Sequence, residues 1–193
     1  MAGTNTENST LISQKYIELN KELHKLSASY GTSGQRYAKP VMELYRKHGL
    51  TSILDYGCGK GTLKKELKMD INEYDPCVKG KEAKIASDLL VCTDVLEHVE
   101  PECIDAVLDD IAKHAIKYAY LAIAFTPAKK TLSDGRNAHL IVQNEDWWLP
   151  KLRERFEVES YKRLDKDIVY IVKAKDGMVE KPKRGRPRRK NVE

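Results

Sequence analysis

A glycine-rich segment, Asp55-Tyr-Gly57-Cys-Gly59-Lys-Gly61, has the residue types best suited to holding a small ligand. It follows a short apolar run and precedes helix-forming residues, which predicts a turn from a buried strand into a helix. Glycine lets the backbone approach a ligand closely, and the start of a helix presents unpaired N–H groups. Asp55 adds a negative charge. The combination suits a ligand with both an amino group and a carboxylate; the alternative is a tight turn without a ligand.

A second candidate binding residue, Asp75, lies twenty residues after Asp55, at the expected end of the next strand. A carboxylate at this position can accept hydrogen bonds from both hydroxyls of a ribose. The pair Asp75-Pro76 also fits a plain surface turn. We favour ribose binding because of the spacing from the glycine-rich segment.

Polar residues follow a third apolar run, in the sequence Cys92-Thr-Asp94-Val-Leu-Glu97-His98. Leu89–Cys92 is typical of a buried parallel strand. Ligands of doubly wound sheets bind at the carboxyl ends of the strands, so we expect this segment to face the same crevice as the glycine-rich turn. The candidates for chemistry are Asp94, Glu97 and His98, with a purely structural histidine as the alternative.

A long loop, residues 128–143, follows a further apolar run. Long loops at the carboxyl end of a strand are often functional. The candidates for binding or deprotonating a substrate are Asp134, Arg136, Asn137 and His139. The alternative is a hydrogen-bonded surface loop whose histidine packs on Trp147 or Trp148.

These segments resemble motifs of the class I S-adenosylmethionine-dependent methyltransferases. The glycine-rich segment matches the form D/E-x-G-x-G-x-G, whereas the dinucleotide-binding fingerprint needs a glycine at the position of Thr62. Asp75 fits the second motif of the family, and Asp94-Val-Leu-Glu97-His98-Val resembles the fourth. The resemblance implies an α/β fold with a doubly wound, mostly parallel sheet that ends in an antiparallel hairpin.

The resemblance also implies S-adenosyl-L-methionine as the cofactor and methyl transfer to an O, N or C nucleophile. Asp55 would then lie close to the amino group of the cofactor, and Asp75 would hold its ribose. The expected cofactor-binding residues are Asp55, Gly57, Cys58, Gly59, Gly61, Asp75, Pro76, Thr93, Asp94 and Val95. The expected catalytic residues are Asp94, Glu97, His98 and His139, and no metal site is predicted.

Apolar periodicity predicts the elements that position these residues. Helices are expected over residues 10–26, 35–47 with an interruption or restart at Pro40, 60–68, and 101–114. A helix capped by Asn144 is expected to kink or restart at Pro150. Strands are expected over residues 53–54, 71–75, 89–92, 118–125, 156–163 and 167–175.

The family's third strand, at the edge of the sheet, is predicted to be missing. Only ten residues separate Pro76 from Ser87, and a crossover between parallel strands alone takes about a dozen. The residues that hold the adenine are therefore not assigned. The nearest candidates are Ile85, Ala86 and Ser87.

The chain of 193 residues is long enough for one domain with a sizeable core and an appendage. Its four cysteines contain no C-x-x-C pair, which disfavours a zinc site and favours a reduced cytoplasmic location. No run approaches the roughly 18 apolar residues of a membrane span, and the first ten residues are polar rather than signal-like. We expect an N-terminal helix and cap (1–34), a methyltransferase domain (35–175) and a basic tail (176–193).

The basic character of the chain is concentrated in this tail. Residues 181–193 hold seven Lys or Arg and one Glu, a net +6, so the total of +5 leaves −1 for residues 1–180. The sequence Arg184-Gly185-Arg186-Pro187 resembles an AT-hook, which inserts arginines into the narrow minor groove of A·T-rich DNA. It predicts A·T-rich DNA as a partner and a nucleoid-associated location. The alternative is a basic tail that binds RNA or is simply solvated.

The sequence does not indicate the methyl acceptor. It lacks the N/D-P-P-Y/F segment with which amino-methyltransferases of DNA hold a flipped base, and its Pro76-Cys77 pair lies in the ribose motif. DNA is therefore expected to be an anchor or an atypical substrate. Two other functions stay open: a DNA-binding protein with a non-catalytic, cofactor-sensing fold, and an NAD-dependent oxidoreductase.

Overall fold

The computed structural model describes residues 10–177, in which six strands pair into one sheet. The strands are β1 (Ile53–Tyr56), β2 (Asn72–Tyr74), β3 (Ser87–Thr93), β4 (Ala115–Ala124), β5 (Phe156–Arg163) and β6 (Asp167–Ala174). Their order is β2-β1-β3-β4-β6-β5. The first four in this order run parallel, and β6 pairs antiparallel with both β4 and β5. The predicted mostly parallel sheet with a closing antiparallel hairpin is confirmed.

Residues 10–177 also form five α-helices, of which the first two precede β1: α1 (Gln14–Leu26), α2 (Ala38–Lys47), α3 (Thr62–Leu67), α4 (Ile104–His114) and α5 (Glu145–Arg155). Short 3₁₀ turns precede α2 and α4 and follow β3, at Ser33–Tyr37, Pro101–Cys103 and Leu96–His98. None of the helices in residues 10–177 has the length and apolarity that a membrane crossing requires.

The core lies in two apolar layers, one on each face of the sheet. Successive residues of a strand point to opposite faces, so Leu90 packs with α4 and α5 while its neighbours Leu89 and Val91 pack with α2 and α3. All seven residues of β3 are buried, and each fully buried aliphatic side chain contributes about 1.5–3 kcal/mol. This central strand therefore fixes the position of the polar segment that follows it.

The described chain contains no strand between Asp75 and Ser87, as predicted. The chain instead folds back directly after β2, because the N–H of Asp75 donates to the carbonyl of Lys81 at 2.8 Å. β2 is consequently an edge strand of three residues.

Three predicted helix boundaries were wrong. α1 begins at Gln14 rather than Thr10, because the side chain of Ser13 caps it by accepting a hydrogen bond from the N–H of Tyr16. α2 begins at Ala38, and Pro40 lies in its first turn, where no intrahelical N–H bond exists to be lost. The α3 helix is confined to Thr62–Leu67.

The last helix, α5, also differs from its prediction. Asn144 precedes it but makes no side-chain capping hydrogen bond. The helix continues through Pro150 without a break. Buried Trp148, Leu149 and Leu152 hold it against the sheet on either side of the proline.

Candidate functional site

A cleft lies at the carboxyl ends of β1, β2 and β3 and is bordered by α1; its empty space of about 980 Å³ includes open solvent. Nine of the ten residues expected to bind a cofactor line this cleft, and they are Asp55, Gly57, Cys58, Gly59, Asp75, Pro76, Thr93, Asp94 and Val95. The parallel strands bring them together because all three strands end at the same edge of the sheet.

The first wall of the cleft is the glycine turn, residues 55–61. Gly57 has φ = +79°, and a Cβ on it would lie 2.4 Å from Cγ2 of Val95. Its N–H and that of Cys58 both donate to the carbonyl of Tyr74, at 2.8 and 3.0 Å, which ties the turn to β2. The turn thus requires a residue without a side chain, and its backbone position is fixed by the neighbouring strand.

Gly59 brings the turn against the segment that follows α1. Its φ is +49°, and a Cβ on it would lie 2.7 Å from the carbonyl oxygen of Gly31. The N–H of Lys60 donates to the same oxygen at 2.9 Å, and the Lys60 ammonium donates to the carbonyl of Ser27 at 2.7 Å. These contacts close the end of the cleft between the glycine turn and α1.

Gly61, the tenth expected residue, lies outside the lining of the cleft. Its φ is +67°, and a Cβ on it would lie 2.3 Å from the carboxylate of Glu73, which forms a 3.1 Å ion pair with Lys81. The backbone conformation and the contact with Glu73 therefore explain why this position is a glycine, without any ligand.

Asp55 is the most unusual carboxylate of the cleft. Only 3% of its surface is exposed, and the described residues give its carboxylate no hydrogen-bond donor. Burial raises its pKa to about 7, and Glu73 and Asp75 add to the rise while Lys81 opposes it. A buried acid without a donor, beside a cleft, is suited to a positively charged group of a ligand.

Asp75 follows β2 and is held in one orientation. One carboxylate oxygen accepts the N–H of Gly59 at 2.9 Å and the other accepts the N–H of Cys77 at 2.8 Å. Each oxygen keeps a further lone pair for a ligand hydroxyl. Asp75 therefore supports the glycine turn and also lines the cleft.

Three candidate catalytic residues, Asp94, His98 and His139, meet at one place. One ligand atom from each, a carboxylate oxygen or a ring nitrogen, lies within 4.8 Å of the others. Asp94 has φ = +60°, a conformation that few residues other than glycine adopt, and its N–H donates to the carbonyl of Ala122 at 2.9 Å. Asp94 and His98 line the cleft, whereas His139 does not.

The two histidine rings stand edge to face, with centroids 4.7 Å apart and an interplanar angle of 89°. Nδ1 of His98 lies 2.7 Å from the carbonyl of Ala138, and Nδ1 of His139 lies 2.6 Å from the carbonyl of Thr126. Burial lowers the pKa of His98 to about 4 even though Asp94 opposes the shift, so this imidazole is neutral at pH 7.

Glu97 differs from the other catalytic candidates because it is completely buried and does not line the cleft. One oxygen of its side chain accepts the N–H of Ala124, and its backbone carbonyl accepts the N–H groups of Leu140 and Ile141. Burial and the nearby Asp94 raise its pKa well above the usual range. Glu97 thus ties the turn after β3 to β4 and to the long loop.

The long loop delivers a single candidate, His139, to the cluster. Asn137 closes the loop, since its side chain bonds both the N–H and the carbonyl of Ala128. Asp134 and Arg136 form a salt bridge with each other at 2.8 Å. The loop is therefore hydrogen-bonded as the alternative predicted, but its histidine packs on His98 rather than on a tryptophan.

The nearest candidates for holding the adenine, Ile85, Ala86 and Ser87, do not line the cleft. The turn between Asp75 and Lys81 sends the chain back toward the amino end of β3, which begins at Ser87. The three residues consequently lie at the opposite end of the strand from the cleft.

Sequence reasoning missed the polar residues that α1 contributes to the cleft, Tyr16, Asn20 and His24. The hydroxyl of Tyr16 donates to the carbonyl of His98 at 2.5 Å, and the Asn20 side chain accepts the hydroxyl of Tyr30 at 2.8 Å. The available signal was an asparagine four residues after a tyrosine on the apolar face of a helix. The AT-hook-like residues Arg184 to Pro187 lie outside the described residues.

Comparison with known proteins identified the fold. No family model and no curated protein matches the sequence. Among solved structures, the 1,6-didemethyltoxoflavin-N1-methyltransferase of Burkholderia thailandensis, with 1,6-didemethyltoxoflavin and S-adenosylhomocysteine bound, aligns with a TM-score of 0.60 at 14% identity. The alignment covers 84% of this chain and 90% of that one.

Two further structures give similar alignments. The DhpI–SAH complex has a TM-score of 0.61 at 13% identity, covering 83% of this chain and 97% of that one. The magnesium protoporphyrin IX methyltransferase of Synechocystis PCC 6803, with SAM bound, has a TM-score of 0.52 at 16% identity, covering 77% and 86%. The chain has the methyltransferase fold. At these identities the likeness extends to the fold alone.

Proposed function

We propose that this protein is an S-adenosylmethionine-dependent methyltransferase with a small-molecule acceptor. The observation that carries the proposal is the buried carboxylate of Asp55, which faces the cleft beside the glycine turn and lacks a donor among the described residues. The cofactor's amino group supplies the missing positive charge. The methyltransferase fold supports the same cofactor, since several structures that share it hold SAM or SAH.

The cleft divides into two parts in this proposal. The cofactor half consists of the glycine turn, Asp75, Pro76 and the segment Thr93–Val95. There Asp55 binds the amino group, the backbone of Gly57 to Gly59 admits the methionine part, and Asp75 accepts hydrogen bonds from the ribose. Bound S-adenosylmethionine supplies a methyl group on a sulfonium, which is open to attack by a nucleophile.

The acceptor half consists of Tyr16, Asn20, Tyr30, His98 and Glu100. It mixes aromatic surfaces with hydrogen-bonding groups, as expected for a small planar or ring-containing acceptor. Methyl transfer depends mainly on alignment, so these side chains act chiefly by orienting the acceptor.

The four catalytic candidates have different roles in the proposal. The neutral ring of His98, with Asp94 beside it, orients the nucleophile of the acceptor. His139 packs on His98 and fixes its ring. Glu97 is a positioning residue, because it does not line the cleft and its hydrogen bonds tie together the backbone of the surrounding segments.

The direct test is calorimetric titration with S-adenosylmethionine, S-adenosylhomocysteine and NAD. We expect both sulfur nucleosides to bind and NAD not to bind. Asp55→Asn should weaken S-adenosylhomocysteine binding by about 10- to 150-fold, because removing a charged hydrogen-bond partner costs about 1.5–3 kcal/mol.

The matched control is Asp70→Asn, which changes an exposed aspartate that pairs with Lys64. It should bind S-adenosylhomocysteine as the wild type does. Absence of binding of both sulfur nucleosides to the wild-type protein would refute the proposal, and tight binding of NAD alone would favour an oxidoreductase. Binding that is never followed by turnover of any small-molecule acceptor would favour the cofactor-sensing alternative.

We also propose that the basic tail anchors the protein to A·T-rich DNA. The support is the sequence Arg184-Gly185-Arg186-Pro187 within a segment of seven Lys or Arg residues. Binding should weaken steeply with salt, with a log–log slope of up to about −6 if all seven basic residues contact phosphates. Deletion of residues 178–193 should abolish binding to an A·T-rich duplex, and unchanged affinity after the deletion would discard the anchor.

A further inference from the structure

We propose that Asp94, His98 and His139 bind one divalent transition-metal ion beside the cleft. Two imidazoles and a carboxylate form a ligand set that suits zinc, cobalt, nickel or ferrous iron better than magnesium or calcium. The ligand atoms lie within 4.8 Å of one another, so closing on a metal needs a movement of less than about 1 Å per side chain to reach bonds of about 2.0–2.2 Å.

The hydrogen bonds of the two histidines favour metal binding. A carbonyl oxygen only accepts hydrogen bonds, so Nδ1 of His98 and of His139 must each carry the proton that reaches Ala138 and Thr126. In this tautomer the lone pair that can bind a metal is on Nε2 of each ring. Metal-binding histidines are almost always held in this way, with the second ring nitrogen donating to a carbonyl or a carboxylate.

The charge at the cluster also fits a cation. Asp94 forms no salt bridge within the described residues 10–177. The edge-to-face contact of the two histidine rings accounts for their packing, but it leaves the carboxylate at the same point without a cationic partner. A bound metal supplies that partner.

Three separate segments hold the three ligands in place. Asp94 follows the buried strand β3, His98 ends a 3₁₀ turn, and His139 belongs to the long loop. Glu97 joins these segments, because its side chain accepts the N–H of Ala124 and its backbone carbonyl accepts the N–H of Leu140. Such support fixes a metal site before the metal arrives.

The position of the cluster links this site to the proposed function, on which the following step rests. Asp94 and His98 line the cleft, whereas His139 does not. A metal bound by all three therefore keeps open coordination positions that a molecule in the acceptor half can reach. The acceptor class that fits is a small molecule with a metal-coordinating oxygen or nitrogen next to the methylated atom.

The site is tested on the full chain after treatment with a chelator and removal of that chelator. Titration with Co²⁺ alone is followed by visible absorption, and titration with Zn²⁺ alone by calorimetry. We expect one ion per chain, with visible bands typical of cobalt held by nitrogen and oxygen. His139→Gln should weaken binding by at least about 100-fold, since loss of even an outer partner of a metal ligand costs about 10- to 100-fold.

The matched control is His48→Gln, which changes a partly buried histidine that contacts Tyr118. It should bind Co²⁺ as the wild type does. His139→Gln is a suitable variant because His139 does not line the cleft. An unchanged thermal midpoint would show that this variant folds. If His139→Gln does not fold, Asp94→Asn serves as the second variant.

Two results would overturn the site: no binding of either ion by the wild type, or equal binding by the wild type and both variants. Cobalt spectra with thiolate bands would also overturn it, because they would place the ion on cysteine. Titration with S-adenosylhomocysteine in the same preparation separates the two proposals. Cofactor binding without metal binding refutes only the metal site, and metal binding without cofactor binding refutes only the methyltransferase.

Discussion

The two halves of the cleft are built in different ways. The cofactor half is formed by backbone groups and carboxylates that follow adjacent parallel strands, and its groups are held by neighbours such as the Tyr74 carbonyl. The acceptor half is formed by side chains from distant parts of the chain. The hydroxyl of Tyr16 reaches the carbonyl of His98, 82 residues away, and Ser13 reaches Glu100, 87 residues away.

The difference separates two requirements. A cofactor that is the same in many enzymes can be held by a turn whose geometry is set locally, by the strand before it, its glycines and the helix after it. An acceptor that differs from enzyme to enzyme is bound by segments whose approach depends on the whole fold. Variants of the first half should therefore alter cofactor binding, and variants of the second half should leave it nearly unchanged.

Gly57→Ala should have the largest effect on the cofactor half. The new methyl group would lie 2.4 Å from Val95 in a backbone conformation of φ = +79°. Strain and overpacking together should cost about 2–5 kcal/mol of unfolding free energy, and S-adenosylhomocysteine affinity should fall by about tenfold or more. Chemical denaturation and calorimetry measure the two effects.

The matched control for this change is Gly135→Ala. Gly135 has φ = +88°, but a Cβ on it would meet nothing within 4 Å. The Gly135→Ala substitution should lower the unfolding free energy only by the conformational strain, about 1–2 kcal/mol. Equal losses for the two variants would mean that the contact with Val95 does not constrain the glycine turn.

Asp55→Asn should stabilise the fold while it weakens cofactor binding. Burial raises the pKa of Asp55 from 3.8 to about 7, so the ionised form is disfavoured in the folded protein. The resulting destabilisation is absent below about pH 4, develops as the pH rises, and is complete above about pH 7. The variant should therefore be more stable at pH 8 by up to about 4 kcal/mol, and equal to the wild type at pH 4.

The same pKa predicts a pH dependence of binding. The cofactor's amino group needs the ionised carboxylate, so S-adenosylhomocysteine affinity of the wild type should fall by up to about tenfold per pH unit below about pH 7. Asp55→Asn should lose this dependence. A wild-type affinity that is constant between pH 5.5 and pH 8 would show that Asp55 does not pair with the ligand.

Ser13→Ala should have the smallest effect and tests the acceptor half. It removes the cap of α1 and the 2.7 Å hydrogen bond from the Ser13 hydroxyl to Glu100. The unfolding free energy should fall by about 1 kcal/mol, and Ser13→Thr should restore it. Affinity for S-adenosylhomocysteine should stay within about threefold of the wild type.

Ser160→Ala, on the exposed surface of β5, is the control for this change and should leave stability unaltered. A fall in cofactor affinity after Ser13→Ala as large as that after Asp55→Asn would abolish the distinction between the halves. α1 would then belong to the cofactor half as well.

The sequence predicted the cofactor half well because its signals are local. The continuous apolar runs of β1 and β3, the turn at Gly57, and the position of Asp75 after β2 all depend on neighbouring residues. The missing third strand was predictable too, since ten residues cannot span a crossover.

The acceptor half was predicted only as separate candidates. Asp94, His98 and His139 were each identified, but their meeting at one point depends on the loop that Asn137 and Glu97 hold in place. The start of α1 was missed because Ser13 is fixed by Glu100, which is remote in sequence. Tertiary contacts of this kind leave no periodic signal.

The two edges of the sheet bear on self-association. Loss of the third strand makes β2 an edge of only three residues, which offers few backbone groups to another chain. The other edge, β5, has eight residues, but it carries Glu157, Glu159, Lys162 and Arg163 and contains a register shift between Val158 and Ser160. β2 is too short, and β5 is too charged and irregular, to offer a ready edge for pairing with a second copy of the sheet.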